Sequence, residues 1–223
     1  MSNRRIRIVS LVTFVSVIII AGLLWLNRWD IYDALRLRGY QAPAAIVQLA
    51  TDTTMNDKTR RLFYVYRPEL DDKQSFIQNC KSAEKTIVLG CYVPSQGIYL
   101  SDITDPRLAG VVEVTAAHET LHAAYDRLSP SEKTRIDTLL NKAYEQVTNT
   151  RIRETIDAYR KEGADITNEL HSILGTEVRD LPPELETYYA KYFKDRKAIV
   201  AFSEKYEKAF HDRKKAVAGY DRQ

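Results

Sequence analysis

The sequence predicts an α+β domain, predominantly helical, that follows an apolar N-terminal segment. Residues 8–26 contain no charged residue. Short runs rich in β-branched and aromatic residues, typical of strands, occur at 62–66, 86–93 and 97–100. Beyond residue 107, helical patterns account for most of the chain. The 223 residues suffice for one membrane anchor and one domain with its own core.

The apolar segment predicts a retained transmembrane anchor. As a helix, residues 8–26 rise about 28 Å, close to the thickness of the hydrocarbon core. Three arginines, Arg4, Arg5 and Arg7, precede the segment. The first two charges after it, Arg28 and Asp30, cancel. The positive-inside rule then predicts a cytoplasmic N-terminus at 1–7, a signal anchor at 8–27 and an exported remainder. The exported part would comprise a juxtamembrane stalk at 28–42, in which 29–38 is either a short amphipathic helix or a stalk at the membrane surface, and a domain at 43–223. A cleaved signal peptide is the alternative, but the run ends without a small-x-small cleavage site.

Cysteine usage and charge fit an exported protein with no nucleic-acid partner. Cys80 and Cys91 are the only cysteines, and in an oxidising compartment they can close a short loop as a disulfide. Two buried free thiols are the alternative. The 33 basic and 30 acidic residues give a net charge of +3, which is too balanced to indicate nucleic-acid binding.

The elements before residue 130 follow from local signals. Pro43 opens a predicted helix at 44–50, and 70–79 is also predicted to be helical. A hairpin-like connection at 94–97 joins the last two predicted strands. A long helix is predicted from about Arg107 to Leu128. A capping box, Ser129 to Glu132, then starts the next helix.

The long helix contains an H-E-x-x-H motif, His118-Glu119-Thr120-Leu121-His122. Residues four apart share one helix face, so both imidazoles can point at one metal ion. Glu119 is one residue further on, where its carboxylate reaches a water on that ion more easily than the ion itself. Little charge surrounds the motif, which favours a helix packed in a core over a surface helix with an incidental histidine pair.

The motif resembles the active-site helix of zincin metallopeptidases. The resemblance implies a zinc cofactor (Zn²⁺), a peptide or protein substrate, and a small sheet beside the helix whose edge strand aligns the extended substrate. Residues 97–103 are the candidate edge strand, with an ordinary structural hairpin as the alternative.

A third ligand must come from a distant segment. The extension H-x-x-G-x-x-H is missing, since residue 128 is Leu and no third histidine follows soon. Asn168-Glu169 resembles the pair that supplies the carboxylate ligand in glutamate zincins, so Glu169 is the expected ligand, although Ile173 replaces the aspartate of that pattern. His171 and Glu177 are the alternatives. His171 is also a candidate catalytic residue that would stabilise the oxyanion. Asp165, one turn before Glu169, is a candidate for orienting a ligand without binding the ion itself.

The expected function is zinc-dependent peptide-bond hydrolysis at the outer side of the cytoplasmic membrane. His118, His122 and Glu169 would hold the ion, and Glu119 would take the proton of the attacking water. Two alternatives remain open at this point. One is hydrolysis of cell-wall peptide amides, and the other is a non-catalytic, zinc-stabilised scaffold that binds a partner.

Overall fold

The structure is a computed structural model that describes residues 3–80 and 89–220, with side chains for 10–80 and 89–209. The chain divides into two compact units, Met1–Tyr40 and Gln41–Gln223. The described residues are mostly helical, and the second unit contains one three-stranded sheet. The predicted helix-rich α+β class is therefore confirmed.

The first unit consists of two helices, α1 (Asn3–Leu26) and α2 (Arg28–Leu37). From Leu11 to Leu26, the large apolar side chains of α1 are exposed. No single helix among the described residues meets both the length and the hydropathy needed to cross a bilayer. Ser10–Leu26 and Arg28–Leu37 meet them jointly, with a 60° bend between them. The anchor at 8–27 thus stays a prediction.

The second unit begins with α3 (Ala44–Asp52) and α4 (Asp57–Val65). The predicted strand at 62–66 is wrong, because this segment forms the second half of α4. Asn56 caps the helix by accepting a hydrogen bond from the Thr59 amide at 3.0 Å. Leu62, Phe63 and Val65 are buried. The cap and the burial of one face outweigh the β-propensity of the aromatic run.

The sheet has the order β1-β3-β2, with β1 at Glu69–Asp71, β2 at Gly90–Val93 and β3 at Gly97–Ser101. β1 runs parallel to β3, and β2 is antiparallel to it. The predicted edge strand at 97–103 is therefore wrong, since β3 is the central strand. Among the residues that the structure describes, β1 and β2 form the two edges of the sheet. The strand predicted at 86–93 is confirmed over Gly90–Val93, and 86–88 lie outside the described residues.

A disulfide joins Cys80 to Cys91, as predicted. Cys80 directly follows α5 (Lys73–Asn79), and Cys91 lies in β2. The predicted helix at 70–79 is confirmed from Lys73 onward, since its first residues belong to β1. The disulfide fastens the edge strand to the helix before it.

The motif helix, α6 (Val111–Asp126), begins four residues later than predicted. Pro106–Leu108 form a separate 3₁₀ turn, capped by Asp105, which accepts from the Arg107 amide at 3.0 Å. Gly110 then adopts a left-handed conformation with φ of 102° and breaks the helical path.

Five helices complete the second unit, and the predicted capping box is confirmed. The Ser129 hydroxyl accepts from the Glu132 amide at 3.4 Å, and the Glu132 carboxylate accepts from the Ser129 amide at 3.1 Å. The helices are α7 (Pro130–Glu145), α8 (Thr150–Glu162), α9 (Ile166–Glu177), α10 (Pro183–Tyr189) and α11 (Arg196–Tyr220).

Helix α9 packs closely against α6 at Gly175. A Cβ atom at this position would lie 2.5 Å from Leu121 Cδ1 and 2.7 Å from Tyr189 Cε1. Leu121, Leu170 and Leu174 are fully buried. This close approach places the first turn of α9 beside the histidine pair.

Candidate metal centre

The two histidines of the motif converge on one point. His118 and His122 lie one helical turn apart on α6, and their Nε2 atoms are 3.0 Å from each other. Their side chains are 14% and 12% exposed, so both are largely withdrawn from solvent. The helical spacing alone produces this arrangement, as the sequence predicts.

Glu169 completes the cluster from α9. Its Oε2 lies 3.9 Å from His118 Nε2 and 3.8 Å from His122 Nε2. The three donor atoms lie within 4.8 Å of one another, so this group could hold a metal ion. The expected ligand set is thus brought together by the fold.

Asn168, the residue before Glu169, orients the imidazole ring of His122. His122 donates through Nδ1–H to Asn168 Oδ1 at 2.9 Å, which leaves Nε2 with its lone pair directed at the cluster. The sequence does not predict this role for Asn168, and its place in the Asn-Glu pair is the signal that points to it. Asp165 contributes from behind as the N-cap of α9, accepting from the amides of Thr167 and Asn168 at 3.2 Å and 3.3 Å.

Both histidines are neutral at physiological pH, as metal ligands must be. Burial lowers the pKa of His118 well below its ordinary value, and the neighbouring His122 lowers it further. Burial also lowers the pKa of His122. The hydrogen bond to Asn168 and the negative charges of Asp126 and Asp165 partly oppose that effect.

Glu119 points from α6 toward the edge strand β2. It is only 7% exposed. A Cβ atom built on Gly90 would lie 3.1 Å from Glu119 Oε1 and 2.3 Å from Thr115 Cγ2. Since only glycine allows this approach, Gly90 sets the distance between the strand and the carboxylate.

Replacing Gly90 by Ala should lower the free energy of unfolding by about 1–3 kcal/mol, because the new methyl group would force β2 away from α6. Thr115→Ser removes the clashing Cγ2 and keeps the hydroxyl that donates to the Val111 carbonyl at 2.8 Å. The double variant should therefore recover part of the loss. Chemical denaturation of the native chain, both single variants and the double variant measures this coupling. Strictly additive effects would show that the two positions do not meet.

His171 lies behind the cluster and outside the set of three donors. It is fully buried, and its Nε2 is 2.8 Å from the Tyr188 hydroxyl. Burial lowers the pKa of His171 to about 3, so the ring is neutral. The Tyr189 hydroxyl donates to the backbone carbonyl of His171 at 2.7 Å. This enclosure favours a positioning role for His171, while its predicted role toward an oxyanion stays a prediction.

Glu177, the other alternative ligand, has different partners. It forms an ion pair with Arg151 of α8 and accepts from the Tyr206 hydroxyl at 3.3 Å. It lies at the opposite end of α9 from Glu169, two turns away. The rotation and length of α9 thus separate the two glutamates into different environments.

The donor set fits a zinc ion. Donors bound at about 2.1 Å around a tetrahedral ion lie about 3.4 Å apart. The observed separations of 3.0, 3.8 and 3.9 Å bracket that value. Two imidazoles and one carboxylate are also a donor combination typical of catalytic zinc sites.

No family model, curated protein or solved structure matches this chain.

Proposed function

We propose that the second unit is a zinc-dependent peptidase that resembles the glutamate zincins. The observation on which this rests is the convergence of His118 Nε2, His122 Nε2 and Glu169 Oε2 from two helices. The H-E-x-x-H motif and the Asn-Glu pair are the sequence counterparts of that cluster. Glu119, adjacent in sequence to the first ligand, supplies a carboxylate that a purely structural site does not need.

Each residue has a distinct role in the proposed reaction. A zinc ion held by the three ligands would polarise the scissile carbonyl and lower the pKa of the attacking water. Glu119 takes a proton from that water and passes it to the leaving amine. Asn168 keeps His122 in the tautomer that presents Nε2. The buried surroundings of Glu119 strengthen its electrostatic interaction with the reacting groups.

The edge strand β2 is the proposed site for an extended substrate. The Ser101 amide donates to the Leu89 carbonyl at 2.8 Å, and Cys91 pairs with Tyr99. Because hydrogen-bonded pairs alternate along an antiparallel ladder, the main-chain groups of Gly90 and Tyr92 point away from β3. Among the described residues, β3 is the only strand that pairs with β2. A peptide added to this edge would run beside Glu119.

The proposed location is the outer face of the cytoplasmic membrane. The uncharged segment at 8–26, the arginines before it and the exposed apolar surface of α1 support a spanning anchor. The disulfide between Cys80 and Cys91 is consistent with an oxidising compartment for the second unit. An accessible peptide or protein substrate would therefore be an exported one.

The first test is metal-dependent hydrolysis by the purified full chain in detergent. We expect about one zinc per chain by elemental mass spectrometry. Chelation should abolish cleavage of an unfolded protein substrate, and added zinc should restore it. Cleavage of cell-wall peptides alone would favour the amide hydrolase. Bound zinc without cleavage of either substrate would favour the scaffold, and a folded chain without metal would contradict the proposal.

A further inference from the structure

The junction between α1 and α2 is a built elbow formed by residues 25–29. The Asn27 side-chain amide donates to the Leu23 carbonyl at 2.7 Å, and Arg28 donates to the Trp25 carbonyl at 3.0 Å. The Arg28 guanidinium also lies over the rings of Trp25 and Trp29, at 4.6 Å and 5.5 Å from their centroids. Tryptophan and arginine are the residues that anchor a chain at the bilayer interface.

Beyond the elbow, α2 presents an apolar strip to solvent. Ile31, Ala34 and Leu35 recur at helical spacing on one face, where Ile31 is 41% and Leu35 is 66% exposed. Two exposed arginines, Arg28 and Arg38, bracket this strip, one turn before Ile31 and just past the end of the helix, whereas the exposed Asp30 lies about 100° around the helix from Ile31. Apolar side chains between two cations match a phospholipid surface, which offers acyl chains below a layer of phosphates.

The direction of α2 agrees with this match. The two helices differ in direction by 60°. A spanning helix is tilted by about 20° from the bilayer normal, so a bend of this size can lay the next helix nearly along the membrane plane.

We propose that α2 is an interfacial helix that lies in the headgroup layer of a phospholipid bilayer, with Ile31 and Leu35 inserted. The inference rests on the proposed membrane placement of α1 and is independent of the zinc site. It replaces a free stalk by a helix held against the membrane, which restricts how far the chain that follows can move from the surface.

Tryptophan fluorescence tests this arrangement, because Trp25 and Trp29 are the only tryptophans in the chain. Both are replaced by Phe in the full chain, and Leu35→Trp is introduced. Ile77→Trp serves as the matched control, since Ile77 is also apolar and 60% exposed but lies on α5. The probe is a vesicle of phosphatidylethanolamine and phosphatidylglycerol, with acyl chains brominated either near the headgroup or near the chain end.

We expect the tryptophan at 35 to lose about half of its emission to the shallow bromines and less to the deep ones, while the control keeps its emission. Quenching no greater than the control would overturn the inference and restore the stalk. Deep quenching equal to that of Ile18→Trp would overturn it in favour of a broken span. A native chain that fails to float with vesicles would instead contradict the membrane placement itself.

A second readout retains the native tryptophans. In vesicles, Leu35→Glu should raise the rate of trypsin cleavage after Arg38 about tenfold, because the helix would leave the interface. Ile77→Glu should leave that rate unchanged. Equal rates in the native chain and Leu35→Glu would also overturn the inference.

Discussion

Replacing Glu119 by Gln is expected to reduce peptide hydrolysis by about two to four orders of magnitude while the zinc content stays the same. The amide has nearly the shape of the carboxylate but cannot accept the proton of the attacking water. Glu119 is not one of the three donors that form the cluster, so the affinity for the ion should be unaffected. Single-turnover hydrolysis and elemental analysis of the same sample measure both quantities.

Glu113→Gln is the matched control for this prediction. Glu113 lies in the first turn of the same helix, and the substitution makes the same chemical change away from the cluster. We expect nearly native hydrolysis, with a stability change of a few tenths of a kcal/mol from the helix dipole. Native hydrolysis by Glu119→Gln would show that Glu119 is not the base. Loss of zinc by this variant would assign Glu119 a structural role.

The part of the site that depends on local spacing could be predicted from the sequence. Helical geometry alone brings His118 and His122 onto one face, and the Asn-Glu resemblance pointed to Glu169. The choice between Glu169 and Glu177 depends on which end of α9 lies beside the histidine pair of α6, and this tertiary placement cannot be read from local sequence. The role of Gly90 cannot be predicted from the sequence for a similar reason, since it depends on the distance between strand β2 and helix α6.

The wrong predictions about the fold also concern features that depend on contacts beyond the local sequence. The run at 62–66 has strand-like composition, but a cap at Asn56 and burial of one helical face decide its conformation. The central position of β3 depends on a parallel pairing with Glu69–Asp71, a three-residue strand too short to show a hydrophobic pattern. Non-local pairing of this kind leaves little trace in local composition. The corrected strand order moves the proposed substrate edge to β2, beside Glu119.

Replacing Glu169 by Gln is expected to remove most of the bound zinc and, with it, hydrolysis. A neutral amide oxygen is a much weaker zinc donor than a carboxylate, and two histidines alone do not make a stable site. Because the amide is nearly isosteric, α9 should keep its packing against α6. We therefore expect native helicity by circular dichroism at low zinc content. Titration with a chelator of known affinity measures the loss.

Glu177→Gln, at the opposite end of α9, is the matched control for this prediction. This variant makes the same change on the same helix but alters the ion pair with Arg151 instead of the cluster. It should lose some stability and keep its zinc, whereas Glu169→Gln should lose zinc and keep most of its stability. The opposite pattern would make Glu177 the ligand and would require α9 to shift by about 12 Å along its axis, away from the packing at Gly175. Such a shift would bring a residue with a Cβ atom against Leu121 and Tyr189, which approach Gly175 too closely to admit even a methyl group. The packing of α9 is thus the physical reason why Glu169, rather than Glu177, faces the histidine pair.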